Sequence, residues 1–151
     1  MKNFETPLAI TMGDPSGIGP EIILKSIVET KLNNFLVFGD SLIFDSLIKS
    51  HGLPLTINKI SELSEAIFEE NYINVFETSK LNYLPHYGKI SKECGKASFD
   101  AILKSIELAK QGKVSGIVTA PISKKALNLA NINYPGHTEI LACHSNNKSV
   151  S

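Results

Sequence analysis

The chain has 151 residues, of which 42% are hydrophobic and 20% are charged, and its formal net charge is zero. This length fits one ordinary domain, and the composition is typical of a soluble globular protein. All 15 basic residues are lysines and they form no run, so neither nucleic acid nor an anionic membrane surface is an expected partner. Because arginine is absent, any bound phosphate must be held by lysine, histidine, hydroxyl or backbone N–H groups.

The cysteines and the apolar segments bear on the cellular setting. Cys94 and Cys143 lie far apart in no metal or redox spacing, which favours a reduced, cytosolic protein. The first residues carry no apolar run of the signal-peptide type, and no segment approaches the roughly 18 apolar residues of a membrane span. We therefore expect a cytoplasmic protein that is neither exported nor membrane-spanning.

The first unit of the chain is predicted to be a strand, a tight turn and a helix. Residues 7–10 predict a short buried strand, and Pro20 opens a helix that is expected to reach about residue 31. The turn between them contains Gly13, Gly17 and Gly19, in a spacing that matches neither the dinucleotide fingerprint nor the P-loop. In such a corner, the unpaired N–H groups and the positive end of the helix dipole point out of the turn. The expected ligand at this position is therefore an anion. The alternative is a rigid corner that binds nothing.

Asp14 lies in the same turn and is a candidate catalytic residue. A carboxylate aimed at an anion site repels that anion unless it serves a positive group, a metal-bound water or a proton transfer. The presence of Asp14 therefore favours a functional turn over a purely structural one.

An alternation of strands and helices follows. Residues 35–39 form a continuous apolar run, which predicts a strand buried on both faces of a parallel sheet. Asp40 or Ser41 can cap the next helix, and residues 55–57 are a short strand candidate. The resulting β-α-β-α-β order predicts an α/β fold, with a mostly parallel sheet flanked by helices.

The middle of the chain is less regular. Residues 60–67 can form one face of a short helix, and residues 72–76 predict another strand. An exposed loop is expected over 77–90, where His86 has no partner nearby and is interpreted as a surface residue. The clearest helix is predicted over residues 91–111, with Gly112 as its stop.

The last third predicts one more strand and two helices. Residues 116–121 are expected to be a second buried strand ending in a loop, after which Ser123 caps a helix. The turn at 133–136 then leads to a helix that opens at His137. Ligands of open parallel sheets bind beyond the carboxyl ends of the strands, where the glycine turn and the loop at 119–124 both emerge. If the turn before His137 folds back to that edge, four side chains converge on one pocket: Asp14, Lys124, His137 and Thr138.

Three segments taken together, residues 10–21, 116–124 and 135–139, resemble in order and spacing three motifs of the 4-hydroxythreonine-4-phosphate dehydrogenase family. The resemblance implies the isocitrate and isopropylmalate dehydrogenase type of α/β fold, a homodimer, NAD as cofactor and a divalent metal at each active site. It also implies the NAD-dependent oxidation and decarboxylation of 4-phosphohydroxy-L-threonine to 3-amino-2-oxopropyl phosphate, in pyridoxal 5'-phosphate biosynthesis.

The same resemblance implies roles for individual residues. His137 and Thr138 resemble the family's substrate-binding pair, and Lys124 resembles a lysine that contacts an anion or transfers a proton. Asp14 and the glycines of its turn, Gly13, Gly17 and Gly19, are expected to shape the site more than to catalyse. The alternatives are that Thr138 only caps its helix, that His137 is structural and that Lys124 is merely solvated. His144 lies outside the motifs and is interpreted as a surface residue.

Family members are considerably longer than this chain, and nothing here resembles their metal-binding histidines or most of their NAD site. We expect residues 1–151 to be the N-terminal part of the dehydrogenase, truncated before a C-terminal half that carries the metal ligands. His51, His86 and His144 supply no substitute triad. We further expect the isolated chain to produce no NADH. Two alternatives stay open: a related dehydrogenase of a phosphorylated four-carbon sugar acid, and an inactive fragment that binds a phosphorylated ligand.

Overall fold

A computed structural model describes residues 5–146 of the chain. Its strands are β1 (Leu8–Thr11), β2 (Phe35–Gly39), β3 (Thr56–Ile60), β4 (Tyr72–Glu77) and β5 (Gly116–Thr119). Its helices are α1 (Gly19–Thr30), α2 (Ser41–His51), α3 (Lys92–Lys110), α4 (Lys124–Leu129) and α5 (His137–Ser145), with a short 3-10 helix at Leu63–Glu65. The strands form one sheet in the order β3-β4-β2-β1-β5, and every pairing is parallel. The predicted α/β fold is therefore confirmed.

Local capping explains where the helices begin. The Asp40 carboxylate accepts the backbone N–H of Leu42 at 3.0 Å, so Asp40 rather than Ser41 is the cap of α2. The Ser91 hydroxyl accepts from Cys94 N at 3.2 Å at the start of α3, and Ser123 caps α4 in the same way. Each cap satisfies an N–H group that the first helical turn leaves without a partner.

Two helical layers cover the sheet. On one face, α1 and α2 bury Ile10 of β1 and Val37 of β2 in the larger apolar core. On the other face, α3 covers Ala9 and Phe38 of the same strands. The short helices α4 and α5 pack outside α3 in a third cluster around Ile102. Because successive side chains of a strand point to opposite faces of the sheet, β1 and β2 contribute residues to both apolar cores.

Helix α4 lies in direct backbone contact with α3. A Cβ atom at Gly95 of α3 would overlap the carbonyl oxygen of Ala126 in α4. Only glycine allows this approach, so Gly95 sets the spacing between the two helices.

The segment after β3 departs from the prediction of a short helix over 60–67. Ile60 is the last residue of β3, and only Leu63–Glu65 turns, as a 3-10 helix. The cause is Asn74, a buried side chain of β4 whose amide hydrogen-bonds both the N–H and the C=O of Ile67. The amide also accepts from Asn58 Nδ2 at 2.8 Å, which ties this segment to the sheet in an extended form.

Two further expectations about burial are corrected by the structure. Strand β5 was predicted to be buried, yet Val118 is 49% exposed, because α1 covers β1 and does not reach over β5. His144 is half-buried rather than a free surface residue: its ring lies edge-on to Phe99 and meets the Tyr134 hydroxyl at 3.1 Å. His86 is exposed, as predicted. None of the helices between residues 5 and 146 combines the length and apolar character that a membrane crossing requires.

Candidate functional site

The glycine turn after β1 is held by its own aspartate. Asp14 Oδ1 accepts from both the backbone N–H and the hydroxyl of Ser16, each at 2.9 Å, and Gly17 N donates to the Asp14 carbonyl at 3.0 Å. Asp14 is 8% exposed and Ser16 is 3% exposed. The Asp14 carboxylate therefore stabilises the local turn through Ser16.

The loop after β5 lies directly against this turn. Asp14 N donates to the Pro121 carbonyl at 2.9 Å, and Ala120 N donates to Thr11 O at 3.2 Å. Gly13 has a φ of +75°, and a Cβ there would overlap the Pro121 carbonyl oxygen. A Cβ at Gly19 would lie 2.7 Å from the carbonyl oxygen of Met12. Two of the three glycines of the turn are therefore explained by close backbone approach.

His137 reaches the same loop from α5. Its Nε2 lies 3.0 Å from the carbonyl oxygen of Ala120. A carbonyl oxygen only accepts, so Nε2 carries the proton and Nδ1 is the nitrogen left for a ligand. The half-buried ring is thus oriented by the backbone of the loop after β5. The three motif segments meet at Ala120 and Pro121.

Lys124 and Thr138 stand at the outer side of this meeting point. Both are exposed. The Lys124 side chain runs beside the turn before α5, since a Cβ at Gly136 would lie 3.9 Å from Lys124 Cε. Gly136 offers no side chain to cap α5, and the Glu139 carboxylate lies beside this helix start, since a Cβ at Gly136 would lie 3.4 Å from Glu139 Oε2. An anion that binds the first N–H groups of α5 and the Thr138 hydroxyl therefore competes with this carboxylate.

The four candidate side chains therefore occupy one edge but two environments. Asp14 is buried and engaged with Ser16, whereas Lys124 and Thr138 are open to solvent, with His137 half-buried between them. The arrangement can present a cation, a hydroxyl, an imidazole and backbone N–H groups to an anionic ligand. It places the Asp14 carboxylate in a supporting position behind the glycine turn.

Sequence reasoning missed a thiol beneath the turn. Cys94, at the start of α3, is fully buried. Burial raises the pKa of the Cys94 thiol and the nearby Asp14 carboxylate adds to the rise, while hydrogen bonds with Ser91 and Ser16 oppose it. A thiol with a raised pKa stays protonated and inert at neutral pH, so Cys94 is a packing residue here. No local pattern could reveal it, because 80 residues separate it from Asp14 along the chain.

The described residues do not fit a metal centre. Between residues 5 and 146 there is no group of three histidine, cysteine, aspartate or glutamate side chains that could hold an ion. His51 lies at the end of α2 beside Glu21, His86 is exposed in the loop before α3, and His144 packs on Phe99.

A parallel sheet with helices on both faces, and with the glycine turn at its carboxyl edge, defines an α/β protein of the class whose ligands bind at that edge. Residues 31–151 match the model of the family described as "Pyridoxal phosphate biosynthetic protein PdxA". The chain belongs to this family.

Relatives and solved structures agree with that assignment. The chain is 48% identical over 143 residues to 4-hydroxythreonine-4-phosphate dehydrogenase of Beijerinckia indica, a match to 94% of this chain and 42% of the relative. It is 40% identical over 150 residues to a Fusobacterium nucleatum protein named "Putative D-threonate 4-phosphate dehydrogenase", covering 96% of this chain and 45% of the relative. The crystal structure of 4-hydroxythreonine-4-phosphate dehydrogenase from Klebsiella pneumoniae superposes with a TM-score of 0.87 at 36% identity, over 94% of this chain and 45% of that chain. The chain thus spans less than half the length of these relatives.

Proposed function

We propose that this chain forms the substrate-holding part of a 4-hydroxythreonine-4-phosphate dehydrogenase. The reaction is the NAD-dependent oxidation of 4-phosphohydroxy-L-threonine and its decarboxylation to 3-amino-2-oxopropyl phosphate, in pyridoxal 5'-phosphate biosynthesis. The whole enzyme is proposed to act as a homodimer in the cytoplasm. Family membership and the relatives named as dehydrogenases support the reaction class.

The observation that carries the proposal is the contact between His137 Nε2 and the Ala120 carbonyl. It fixes the imidazole beside the glycine turn and leaves Nδ1 for the substrate. Because Nε2 already carries a proton, Nδ1 donates to an anionic oxygen only when the ring is charged, and otherwise accepts from a hydroxyl. Both partners occur in a phosphorylated hydroxy acid.

The neighbouring residues suit the phosphate or carboxylate of such a molecule. The Lys124 ammonium supplies a point charge, and the Thr138 hydroxyl and the start of α5 supply hydrogen-bond donors. Asp14 holds the glycine turn in shape through Ser16 rather than by contact with the substrate. In this proposal, the chain binds and orients the substrate.

The proposed reaction uses two cofactors, NAD and a divalent metal. NAD would accept the hydride and a divalent metal would act as a Lewis acid toward the hydroxyl and the new carbonyl. The described residues contain no metal-binding cluster, and the glycine turn lacks the dinucleotide spacing. We therefore assign no step of the reaction through either group to this chain.

The proposal is tested by calorimetric titration of the 151-residue chain with 4-phosphohydroxy-L-threonine. His137→Ala should weaken binding by roughly 10- to 100-fold, as expected for loss of a charge-assisted hydrogen bond. His86→Ala is the matched control, because His86 is exposed in the loop before α3, and it should leave the affinity unchanged. Absence of binding, or equal affinity of both variants, contradicts the proposal. The unmodified chain is expected to form no NADH.

A second candidate is the dehydrogenation of D-threonate 4-phosphate. It is favoured by the name of the Fusobacterium nucleatum relative, which is nearly as similar as the Beijerinckia indica protein. The two substrates differ at the carbon that carries either an amino or a hydroxyl group. Parallel titrations with both compounds distinguish them, since the true substrate should bind at least 10-fold more tightly.

A further inference from the structure

The Ala120–Pro121 segment of the loop after β5 joins two parts of the candidate site. The carbonyl of Pro121 accepts from the backbone N–H of Asp14 at 2.9 Å, and the carbonyl oxygen of Ala120 lies 3.0 Å from His137 Nε2. Two consecutive carbonyl groups therefore contact two different elements, the glycine turn and the start of α5. A displacement of the glycine turn has a short covalent route to the imidazole.

The covalent link between these two carbonyl groups is stiff. Their carbon atoms are separated only by the planar peptide bond before Pro121 and by the φ angle of Pro121, which the proline ring fixes at about −65°. The backbone N–H of Ala120 also donates to Thr11 O at 3.2 Å, so the segment is held from β1 as well. Because no soft torsion lies between the two carbonyl carbons, a shift of the Pro121 carbonyl also moves the Ala120 carbonyl.

The side chain of Asp14 determines how the glycine turn meets this segment. Asp14 Oδ1 accepts from the backbone N–H and the hydroxyl of Ser16, each at 2.9 Å. Ser16 is itself held from the loop before α3, since Gly88 N donates to the Ser16 carbonyl at 2.8 Å. An aspartate that accepts from the N–H two residues later closes a local turn and fixes its own backbone. The Asp14 carboxylate thus sets the direction of the N–H group that Asp14 donates to Pro121.

From these contacts we infer that Asp14 is a positioning residue for His137. The Asp14 carboxylate fixes the glycine turn, the turn fixes the Pro121 carbonyl, and the coupled Ala120 carbonyl holds the imidazole with Nδ1 left for the ligand. Asp14 touches no ligand in this assignment and acts through the tautomer and the orientation of the His137 ring. The inference rests on the proposed function for ligand binding only, because the tautomer is measured without a ligand.

Asp40, after the neighbouring strand β2, provides a matched control. It is 2% exposed and also accepts from the N–H two residues later, that of Leu42, at 3.0 Å. Its other carboxylate oxygen accepts from Leu81 N at 2.6 Å, in the segment after β4. None of its side-chain hydrogen bonds within residues 5–146 reaches Ala120 or Pro121. Asp40→Ala should therefore destabilise the fold while leaving the His137 ring unchanged.

The first measurement follows the His137 ring in the 151-residue chain without ligand. Long-range proton–nitrogen NMR spectra in mildly alkaline solution report which ring nitrogen carries the proton, and His137→Ala identifies the signals by removing them. The unmodified chain should show one tautomer, with the proton on Nε2. Asp14→Ala should give a mixture of both tautomers. Asp14→Asn, which can still accept from Ser16, and Asp40→Ala should keep the single tautomer, and any other pattern overturns the inference.

The second measurement is a double-mutant cycle on the affinity for 4-phosphohydroxy-L-threonine. Asp14→Ala should weaken binding by roughly 3- to 10-fold and no more than His137→Ala does, because it removes only the orientation of the ring. In the His137→Ala background, the same substitution should change the affinity by less than about 2-fold. Losses that add show that Asp14 contacts the ligand or acts through another group, and they overturn the inference.

Ser16→Ala keeps the inference testable if Asp14→Ala does not fold. It removes the hydroxyl bond to Asp14 Oδ1 and keeps the backbone bond, so the same changes should appear in smaller size. A single Nε2 tautomer in Ser16→Ala then overturns the inference.

The inference and the proposed function can fail separately. If the unmodified chain does not bind the compound, the proposed function fails and the tautomer pattern still decides the inference. If His137→Ala weakens binding but Asp14→Ala leaves the tautomer single, the inference fails and the proposed function stands.

Discussion

Strands β2 and β5 flank the same strand, β1, in matching registers, yet their surroundings differ completely. Leu8 of β1 lies opposite Phe35 of β2 on one side and Gly116 of β5 on the other. Every residue of β2 is buried, whereas no residue of β5 is. Hydrogen-bonded pairing with a neighbouring strand is therefore not sufficient to bury a strand. Helices must also cover both of its faces.

The largest expected effect compares one apolar side chain from each of these two strands. Phe38 of β2 is fully buried and stacks on Phe76, with ring centroids 5.3 Å apart. Phe38→Ala should lower the free energy of unfolding by about 3–5 kcal/mol, because a large cavity is left behind. Val118→Ala should cost less than about 1 kcal/mol, because half of that side chain is already in water. Urea unfolding measures both, and equal costs contradict the comparison.

The next effect concerns the turn that joins β1 to the loop after β5. Gly13→Ala places a Cβ into the Pro121 carbonyl in addition to requiring a positive φ. Gly112→Ala is the control, because Gly112 has a φ of +69° and open space around it. The control should cost about 1–2 kcal/mol for the left-handed backbone alone, and Gly13→Ala about 1–3 kcal/mol more for the overlap. Equal unfolding midpoints contradict the predicted close approach.

A smaller effect of opposite sign is expected at the end of β1. The Thr11 hydroxyl is buried and has no hydrogen-bond partner among residues 5–146. Thr11→Val removes this group while keeping the shape, so stability should stay constant or rise by up to about 1 kcal/mol. Thr119, its half-exposed partner in β5, is the control, and Thr119→Val should bring no gain. A loss of more than about 1 kcal/mol at Thr11 shows instead that the hydroxyl is satisfied.

The smallest expected effect is on the pH dependence of stability, and it concerns Glu65, in the segment that follows β3. Backbone N–H groups of Ser61 and Glu62 donate to the Glu65 carboxylate and lower its pKa from the usual 4.5. A lowered folded-state pKa stabilises the fold above pH 4.5, and this contribution is lost as the pH falls through the folded-state value. Acid titration followed by NMR should place the Glu65 midpoint below 4.5. Glu65→Gln should flatten the acid limb of the stability curve slightly, and a midpoint at or above 4.5 contradicts the assignment.

Local patterns were sufficient to predict most of the fold. A continuous apolar run predicted β2, Pro20 predicted the start of α1, and Asp40 and Ser123 were among the predicted helix caps. The errors have long-range causes. The segment over 60–67 is held extended by Asn74, and the exposure of β5 depends on which helices reach it, which no window of neighbouring residues contains.

The sequence identified the segments of the candidate site, but it predicted their meeting only on the condition that the turn before His137 folds back. In the structure, the motifs at 10–21, 116–124 and 135–139 do lie against one another. The common partner of these motifs, the backbone of Ala120 and Pro121, is made of main-chain carbonyls and leaves no mark on residue identity. The burial of Asp14 beside Cys94 is likewise a tertiary property. The roles of His137, Thr138 and Lys124 in binding stay predictions.

The backbone contact at Gly95 limits which residues position 95 can carry. Helix α4 packs against α3 at that glycine, and α5, which begins at His137, follows α4 in the chain. The distance between α3 and α4 therefore influences where the His137 imidazole lies relative to the sheet. Any larger residue at position 95 would push α4 outward and carry His137 away from Ala120. Loss of affinity for a ligand could then arise from a residue that never touches it, and a search for tolerated substitutions should find this buried position as restrictive as the site itself.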